Sequence, residues 1–336
     1  MMKIDLVKIN NRISKAIRKY IQNYYKKDRI VPYLKEDVLD FITKCRYASD
    51  DVRPLLTLLG YEIAGGKYNF EYILPAMSAI HLCLLGFIPI DDIIDGLERQ
   101  KNFTFNDIPA KLSLAYSLST KLREDARMIF QTNYGNLPCF GRINTLISQC
   151  LQKLDGSHTL ETNYHSKVPF SKYSINEYFK LIDEATSILI ANSFVIGGLI
   201  AGINKKTEQD MYEFGMDLGR LCQIRDDFLD YIDPRVTGKL PFSDLYSRKK
   251  RFPVLLILWY GDEIQKRTVV KILEKDMVVK TDICQVLEMI LDKKIKEQSL
   301  KIITDIRNRA LQRLKSLPKI QPAYNILREI TLLYSV

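Results

Sequence analysis

Apolar residues recur at spacings of three and four along most of this 336-residue chain. Residues 34–48 and 177–194 show the pattern clearly, and it predicts amphipathic α-helices. No segment has the sustained two-residue alternation, bounded by turn residues, that is typical of paired strands. Prolines and glycines divide the chain into about a dozen helical segments. The pattern therefore predicts an all-α protein with a single domain.

Two apolar runs approach the length of a membrane-spanning helix. Residues 73–90 and 187–203 contain no Asp, Glu, Lys or Arg. Both are at or below the length that a bilayer requires, and both adjoin charged residues of functional type, so we interpret them as buried helices of a soluble protein. Pro89 lies in the first run, where it either kinks a helix or starts one. The sequence leaves that choice open.

The first 30 residues are strongly basic. They hold nine Lys or Arg against Asp5 and Asp28, which accounts for +7 of the net charge of +10. The rest of the chain has no broad basic face, so we predict no nucleic-acid partner. Apolar residues recur there at helical spacing: Ile9, Ile13, Ile17, Ile21 and Tyr24. Residues 1–30 are thus predicted to form a basic amphipathic helix, either packed on the domain or weakly attracted to an anionic membrane surface.

The cysteine pattern indicates the redox state of the compartment in which the protein is expected. Six cysteines are scattered without a CxxC pair, and no targeting peptide is apparent. The three histidines share no metal-ligand spacing. We therefore expect free thiols and a cytoplasmic location.

Two copies of the pattern DDxxD carry the candidate chemistry: Asp91, Asp92 and Asp95, then Asp226, Asp227 and Asp230. On a helix, the first and last aspartates of each copy lie one turn apart on one face. Carboxylates this close repel one another unless a cation lies between them. Oxygen ligands in this number suit Mg²⁺, which also binds water and substrate phosphate. We therefore predict a magnesium site with Asp91, Asp95, Asp226 and Asp230 as ligands; the alternative is structural metal binding or helix capping.

Residues 215–258 (GMDLGRLCQIRDDFLDYIDPRVTGKLPFSDLYSRKKRFPVLLIL) resemble the second aspartate-rich region of the trans-isoprenyl diphosphate synthases. The residues that carry this resemblance around the aspartates are Gly215, Gly219, Gln223, Gly238, Lys239, Asp244, Lys249 and Pro253. GGKYNF (65–70) and the first DDxxD also resemble that family, in the same order, and extend the likeness over residues 60–260. The resemblance implies an isoprenoid synthase domain over residues 31–336, which is a helical bundle around a deep apolar cavity. It also implies two facing DDxxD helices, three Mg²⁺ ions and a homodimer.

The resemblance also implies roles for individual residues. All six aspartates would be catalytic, and the substrate-binding residues would be Lys67, Phe87, Arg99, Gln223, Lys239 and Lys249. Metal ions and lysines would neutralise the diphosphate of a linear allylic prenyl diphosphate so that its C–O bond ionises. A dry apolar chamber would then protect the carbocation from water.

The chain departs from the family pattern at the site for isopentenyl diphosphate. The arginine of GGKxxR is replaced by Phe70, and a Gln or His position is Leu84. The family's RRG falls on Gln100, Lys101 and Asn102. Because charge-assisted hydrogen bonds are worth roughly 1.5–3 kcal/mol each, losing two or three would weaken diphosphate binding by on the order of 10²–10⁵. At the leaving-group site, Ala185 replaces a lysine.

These departures favour a terpene synthase that cyclises a linear diphosphate of fifteen or twenty carbons or eliminates a proton from it. The main alternative is a chain-elongating prenyl transferase that uses Lys67, Lys101 and Arg99. Transfer to a neutral acceptor and a non-catalytic subunit of a synthase are further alternatives. Substrate length is left open, because Phe87 would close the cavity while Gly86 would open it.

Overall fold

Fifteen α-helices form the regular structure of the residues that the computed structural model describes. Those residues are 6–27, 32–44, 52–67, 69–90, 108–161, 168–232, 241–246, 248–275 and 277–335. The helices are α1 (Leu6–Lys27), α2 (Pro32–Lys44), α3 (Val52–Ile63), α4 (Phe70–Leu85), α5 (Ile108–Tyr134), α6 (Phe140–Thr159), α7 (Ile175–Ile182), α8 (Ile188–Ala201), α9 (Lys205–Ile232), α10 (Ser243–Tyr246), α11 (Phe252–Tyr260), α12 (Glu263–Leu273), α13 (Lys280–Ile290), α14 (Lys293–Leu314) and α15 (Ala323–Leu333). No β-strand occurs in these residues, and the prediction of an all-α, single-domain fold is confirmed.

Helix α8 is the centre of the bundle. Every residue from Ile188 to Ile200 is buried, and all of them except Asn192 and Ser193 are apolar or glycine. Helices α3 and α9 pack along it, and α3 also packs against α4. A π-helical segment, Asp183–Ser187, joins α7 to α8. The core of the molecule therefore surrounds the helix that leads away from the candidate site.

Two helical stretches are long and apolar enough to cross a membrane by length and composition alone. They are Phe70–Ile90 and Ile175–Ala201, whose most apolar windows are 89% and 78% buried in the bundle. Such burial is typical of core helices, so it agrees with the interpretation of both runs as buried helices.

Helix α1 packs on the bundle through one apolar face. Ile13, Ile17, Ile21 and Tyr25 are buried, and the helix lies against α2, α3 and α4. The Tyr25 hydroxyl donates a 2.6 Å hydrogen bond to Asp125 of α5. The alternative of a helix packed on the domain is confirmed, whereas the boundary at residue 30 stays a prediction.

The chain breaks its helix before Pro89. Helix α4 ends at Leu85, a turn covers Gly86 and Phe87, and the backbone is helical again at residues 88–90. The Ser119 hydroxyl donates to the Gly86 carbonyl at 2.5 Å and holds this turn against α5. Pro89 therefore lies in the first turn of a new helical segment, where its missing N–H is tolerated.

Candidate active site

The second aspartate triad lies at the C-terminal end of α9, and its three side chains differ in exposure. Asp226 is exposed, whereas Asp227 and Asp230 are each 1% exposed. Two glycines allow α9 to reach this position. A Cβ atom on Gly215 would lie 2.5 Å from the Ala191 Cα, and one on Gly219 would lie 2.4 Å from the Ser187 Cα. Glycine is therefore required at both positions for α9 to pack on α8 and the π-helical segment.

Asp227 is held by hydrogen bonds from three parts of the fold. Its Oδ2 accepts from the Tyr178 hydroxyl at 2.8 Å and from the Phe252 N–H at 2.9 Å. Its Oδ1 accepts from Gln223 Nε2 at 2.8 Å. Burial raises the pKa of Asp227, and the positive charge of Arg251 opposes that rise. Asp227 thus joins α7, α9 and α11 at the base of the site.

Asp230 is held by the segment that begins α10. Its Oδ1 accepts from the Ser243 hydroxyl at 3.0 Å and from the Ser243 N–H at 3.3 Å. Its Oδ2 accepts from the Asp244 N–H at 3.1 Å. Both oxygens therefore already have protein donors, and a metal ion would have to share them. Asp226 is the member of this triad that faces outward, and the metal-ligand role of Asp230 stays a prediction.

Gln223 connects the triad to the π-helical segment. The Thr186 hydroxyl donates to Gln223 Oε1 at 2.5 Å, and the Gln223 amide group donates to Asp227. Gln223 thus orients Asp227, while its predicted contact with substrate is untested. On the outer side of the same segment lies a cavity of about 350 Å³, lined by Lys153, Asn176, Phe179, Lys180, Asp183, Glu184, Ile188, Tyr212 and Met216. None of the triad residues lines it.

Arg251 was not among the residues predicted from sequence, yet it lies beside the triad. Its Nη2 is 3.0 Å from Glu161 Oε1, and its Nε is 3.8 Å from Asp244 Oδ2. The neighbouring Lys249, a predicted substrate ligand, donates its N–H to the Asp244 carbonyl at 2.9 Å. No spacing in the sequence marks Arg251, because Glu161 lies 90 positions earlier in the chain, just after α6.

Two further arginines lie within electrostatic reach of the outward side of the triad. Burial raises the pKa of the Cys222 thiol, Asp226 raises it further, and Arg53 and Arg225 lower it. The Arg225 guanidinium lies 5.2 Å from the centre of the Tyr334 ring. Arg53, in the first turn of α3, thus acts electrostatically on Cys222, which precedes Asp226 by one helical turn, and sequence reasoning missed it.

Phe87 is buried in the turn that follows α4. The Arg123 guanidinium of α5 lies 5.0 Å from its ring centre, and Arg123 is paired with Asp155 at 2.7 Å. Phe87 therefore lies near the start of the first DDxxD segment, while its predicted effect on cavity depth remains untested.

Several predicted site residues lie outside the described residues: Asp91, Asp92, Asp95, Arg99 and Lys239. The same is true of Lys101. Among the described residues, no three His, Cys, Asp or Glu side chains are grouped so that they could hold a metal ion. The magnesium site therefore remains a prediction, and the described residues include only the half of it that the second triad would form.

The family model described as "Polyprenyl synthetase" matches residues 44–290, which is more than two thirds of the chain. The chain belongs to the polyprenyl synthetase family.

Curated relatives of this polyprenyl synthetase are prenyl diphosphate synthases. A short chain isoprenyl diphosphate synthase from Methanocaldococcus jannaschii is 25% identical over 240 residues, or 71% of each chain. A geranylgeranyl diphosphate synthase from Sulfolobus acidocaldarius is 26% identical over 266 residues, or 78% of each chain. The prediction of an enzyme of the prenyl transferase family is confirmed.

A solved structure shares the whole fold. Geranylgeranyl pyrophosphate synthase from Corynebacterium glutamicum, complexed with isoprenyl diphosphate and magnesium, covers 99% of both chains with a TM-score of 0.83 and 18% identity. Members of the family use divalent metal ions. The exposed Asp226 carboxylate of this polyprenyl synthetase fits such an ion, because Mg²⁺ prefers hard oxygen ligands and takes only one or two carboxylates from the protein.

The position of GGKYNF bears on one prediction. Gly65 has a left-handed backbone (φ 76°), and the Gly66 N–H donates to the Tyr61 carbonyl at 2.9 Å, so this segment ends α3. Phe70 begins α4, whose 16 residues span about 24 Å before the turn that leads to the first DDxxD. Lys67 is exposed at that distant end. Lys67 thus lies at the end of α4 opposite to the turn that leads to the first DDxxD, and its predicted contact with substrate stays a prediction.

Proposed function

We propose that this polyprenyl synthetase is a chain-elongating trans-prenyl transferase, which joins isopentenyl diphosphate to an allylic prenyl diphosphate. One observation carries the proposal. The GGKYNF segment, whose Phe70 had indicated a degraded acceptor site, lies about 24 Å along α4 from the residues that lead into the first triad. This position weakens one of the reasons to expect a terpene synthase, the replacement of an arginine by Phe70. The relatives support elongation, since their names are those of prenyl diphosphate synthases.

The charges around the second triad support two diphosphate sites. Asp226 faces outward for a metal ion, while Arg53 and Arg225 lie within reach of the same region. Arginine binds phosphate oxygens through two parallel N–H donors, which suits an acceptor diphosphate. We assign Arg53 to isopentenyl diphosphate in place of Lys67.

The reaction breaks the allylic C–O bond, and the diphosphate leaves with the electron pair. The isopentenyl double bond then forms the new C–C bond, and a proton is lost to restore an alkene. Magnesium, which we expect as three ions, would neutralise the leaving diphosphate when bound between the two triads. Asp227 and Asp230 hold α9, α10 and α11 in register, so that Asp226 keeps a fixed position.

A terpene synthase is the second candidate, and one observation favours it. Ala185 lies in the π-helical segment next to Thr186, where the resemblance implies a lysine for the leaving diphosphate. With that cation missing, elongation has to depend more strongly on Lys239, Lys249 and the arginines.

The test is to incubate the purified protein and Mg²⁺ with geranyl, farnesyl or geranylgeranyl diphosphate, each with and without isopentenyl diphosphate. Extracts are analysed by chromatography and mass spectrometry, with and without prior phosphatase treatment. Longer prenyl alcohols formed only with isopentenyl diphosphate support elongation. A hydrocarbon formed from one linear diphosphate alone would overturn the proposal and establish the second candidate.

Two properties of the surface support further proposals about partners. Helix α5 exposes Leu112, Tyr116 and Met128, which are 54%, 66% and 54% exposed, and we propose a homodimer that covers them. Helix α1 exposes basic residues, and we propose weak binding of anionic lipid through that face in the cytoplasm. Analytical ultracentrifugation tests the first, and a monomer at micromolar concentration would contradict it.

A further inference from the structure

Arg251 stands at a junction of three segments around the second triad. It precedes α11 with an extended backbone (φ −92°, ψ 158°), and its side chain is 13% exposed. The guanidinium contacts Glu161, just after α6, and Asp244 of α10. One residue therefore connects the chain after α6, the short helix α10 and the start of α11.

Two of these segments, α10 and the start of α11, hold part of the triad. The Asp244 N–H donates to Asp230, and the Phe252 N–H, next in sequence to Arg251, donates to Asp227. The geometry of both buried carboxylates thus depends on where Asp244 and the start of α11 lie. Arg251 fixes both, because its backbone leads into α11 and its side chain reaches Asp244.

The buried carboxylates around the second triad are also stabilised by a nearby positive charge. Asp227, Asp230 and Asp244 are 1%, 1% and 4% exposed, so three carboxylates are buried close together. Buried like charges repel strongly, since little water screens them. The charge of Arg251 acts on Asp227 as well as on Asp244 and Glu161.

We infer that Arg251 is a positioning residue of the second aspartate triad, which serves as a fixed counter-ion for Asp244 and Asp227 before any metal ion binds. Its contacts with Glu161 and Asp244 keep α10 and α11 in place, and Asp226 is thereby presented to the metal. The inference rests on the proposed function for the role of Asp226. The contacts of Arg251 itself do not depend on the reaction.

A double-mutant cycle tests the counter-ion role without measuring activity. R251Q, D244N and the double variant are melted in EDTA beside the wild type. We expect R251Q to lower the melting temperature by on the order of 5 °C, because it removes a positive charge from beside buried carboxylates. The double variant should lose less melting temperature than the sum of the losses in the two single variants, since D244N removes one of the repelling charges. Additive losses would overturn the inference.

Arg220 offers a matched control. It also bridges two carboxylates, with Asp183 at 2.7 Å and Asp217 at 2.9 Å, but it contacts no member of the triad. R220Q should also lower the melting temperature. Added Mg²⁺ should raise the melting temperature more in R251Q than in R220Q or the wild type, because the divalent ion replaces the missing charge. An equal rise in all three proteins would contradict the inference.

Turnover separates this inference from the proposed function. R251Q should lower kcat for elongation more than tenfold, and R251K, which keeps the charge, should recover part of it. Failure of R251K to exceed R251Q would overturn the counter-ion role. If the wild type shows no elongation while the cycle shows coupling, the proposed function fails and the positioning role stands.

Discussion

Asp226, Asp227 and Asp230 have the same chemistry in the sequence, yet their side chains meet different surroundings. The exposed Asp226 faces outward, and the buried Asp227 accepts hydrogen bonds from Tyr178, Gln223 and Phe252. A carboxylate that is surrounded by donors stabilises the fold, whereas an exposed one is accessible to a cation from solvent.

Substitution should therefore separate the two roles. We expect D226N to lower activity at least ~100-fold with little change in stability, because it removes a metal ligand. D227N should lower the free energy of unfolding by about 1–3 kcal/mol, since the N–H₂ group of the new asparagine would face one or more of the groups that donate hydrogen bonds to Asp227. Urea unfolding and the elongation assay measure the two effects, and equal loss of stability in both variants would refute the separation.

Arg53 and Lys67 lie near opposite ends of α3 and form a natural pair for comparison. R53A should raise the KM for isopentenyl diphosphate by roughly 10- to 100-fold, because a charge-assisted hydrogen bond is worth about 1.5–3 kcal/mol. K67A removes the same charge from an exposed turn and should leave the KM within about twofold. Steady-state kinetics with varied isopentenyl diphosphate decide the matter. A rise for K67A without one for R53A would restore the original assignment.

At the scale of elements, the contact between α9 and the π-helical segment determines where the triad lies. Gly219 allows this contact, since a Cβ there would lie 2.4 Å from the Ser187 Cα. One residue earlier in the segment, Thr186 donates to Gln223. Close packing and the hydrogen bond therefore depend on each other.

G219A tests this dependence. The added methyl group should push α9 outward, lower the free energy of unfolding by about 1–3 kcal/mol and reduce activity. Gly141, in the first turn of α6, has no atom within 4 Å of the corresponding position, so G141A should leave stability unchanged or slightly raised. Urea unfolding of both variants gives the comparison. A G219A protein as stable as G141A would show that the backbones can separate without cost.

The helices could be predicted from the sequence, but the candidate active site could be predicted only in part. Three- and four-residue periodicity predicted the helices, because burial of one face imposes that period. The sequence could not tell whether Pro89 kinks a helix or starts one, since this depends on how Ser119 of α5 holds the Gly86 turn. Arg251 and Glu161 are 90 positions apart in the sequence, and no local pattern joins them. The role of GGKYNF could not be decided from the sequence either, because a glycine pair that ends a helix resembles one that binds phosphate.

At the scale of the whole molecule, charge is unevenly distributed. Helix α1 contains seven Lys or Arg and no acidic residue, while its isoleucines face the bundle. Its basic side chains, including Lys15, Lys19 and Lys27, are exposed. Binding to an anionic surface would thus be electrostatic, without insertion of the apolar face.

Sedimentation with vesicles of phosphatidylcholine and phosphatidylserine tests this. K15Q/K19Q/K27Q should weaken binding by on the order of 100-fold, because each basic residue near the surface contributes about 1 kcal/mol. The control K293Q/K294Q/K296Q removes the same charge from exposed positions in α14 and should bind like the wild type. Binding should also weaken in high salt. An equal loss of vesicle binding in both triple variants would show that binding depends on net charge alone and not on the basic face of α1.

The π-helical segment has a consequence for helical phase. Tyr178 and Thr186 both face α9, where they bind Asp227 and Gln223. In a regular α-helix, residues eight positions apart point about 80° away from each other. A π-helical turn accommodates more residues than an α-helical turn, so the five residues Asp183–Ser187 remove most of this offset. A regular α-helix over the same residues would instead turn one of the two hydroxyls about 80° away from the carboxylate site.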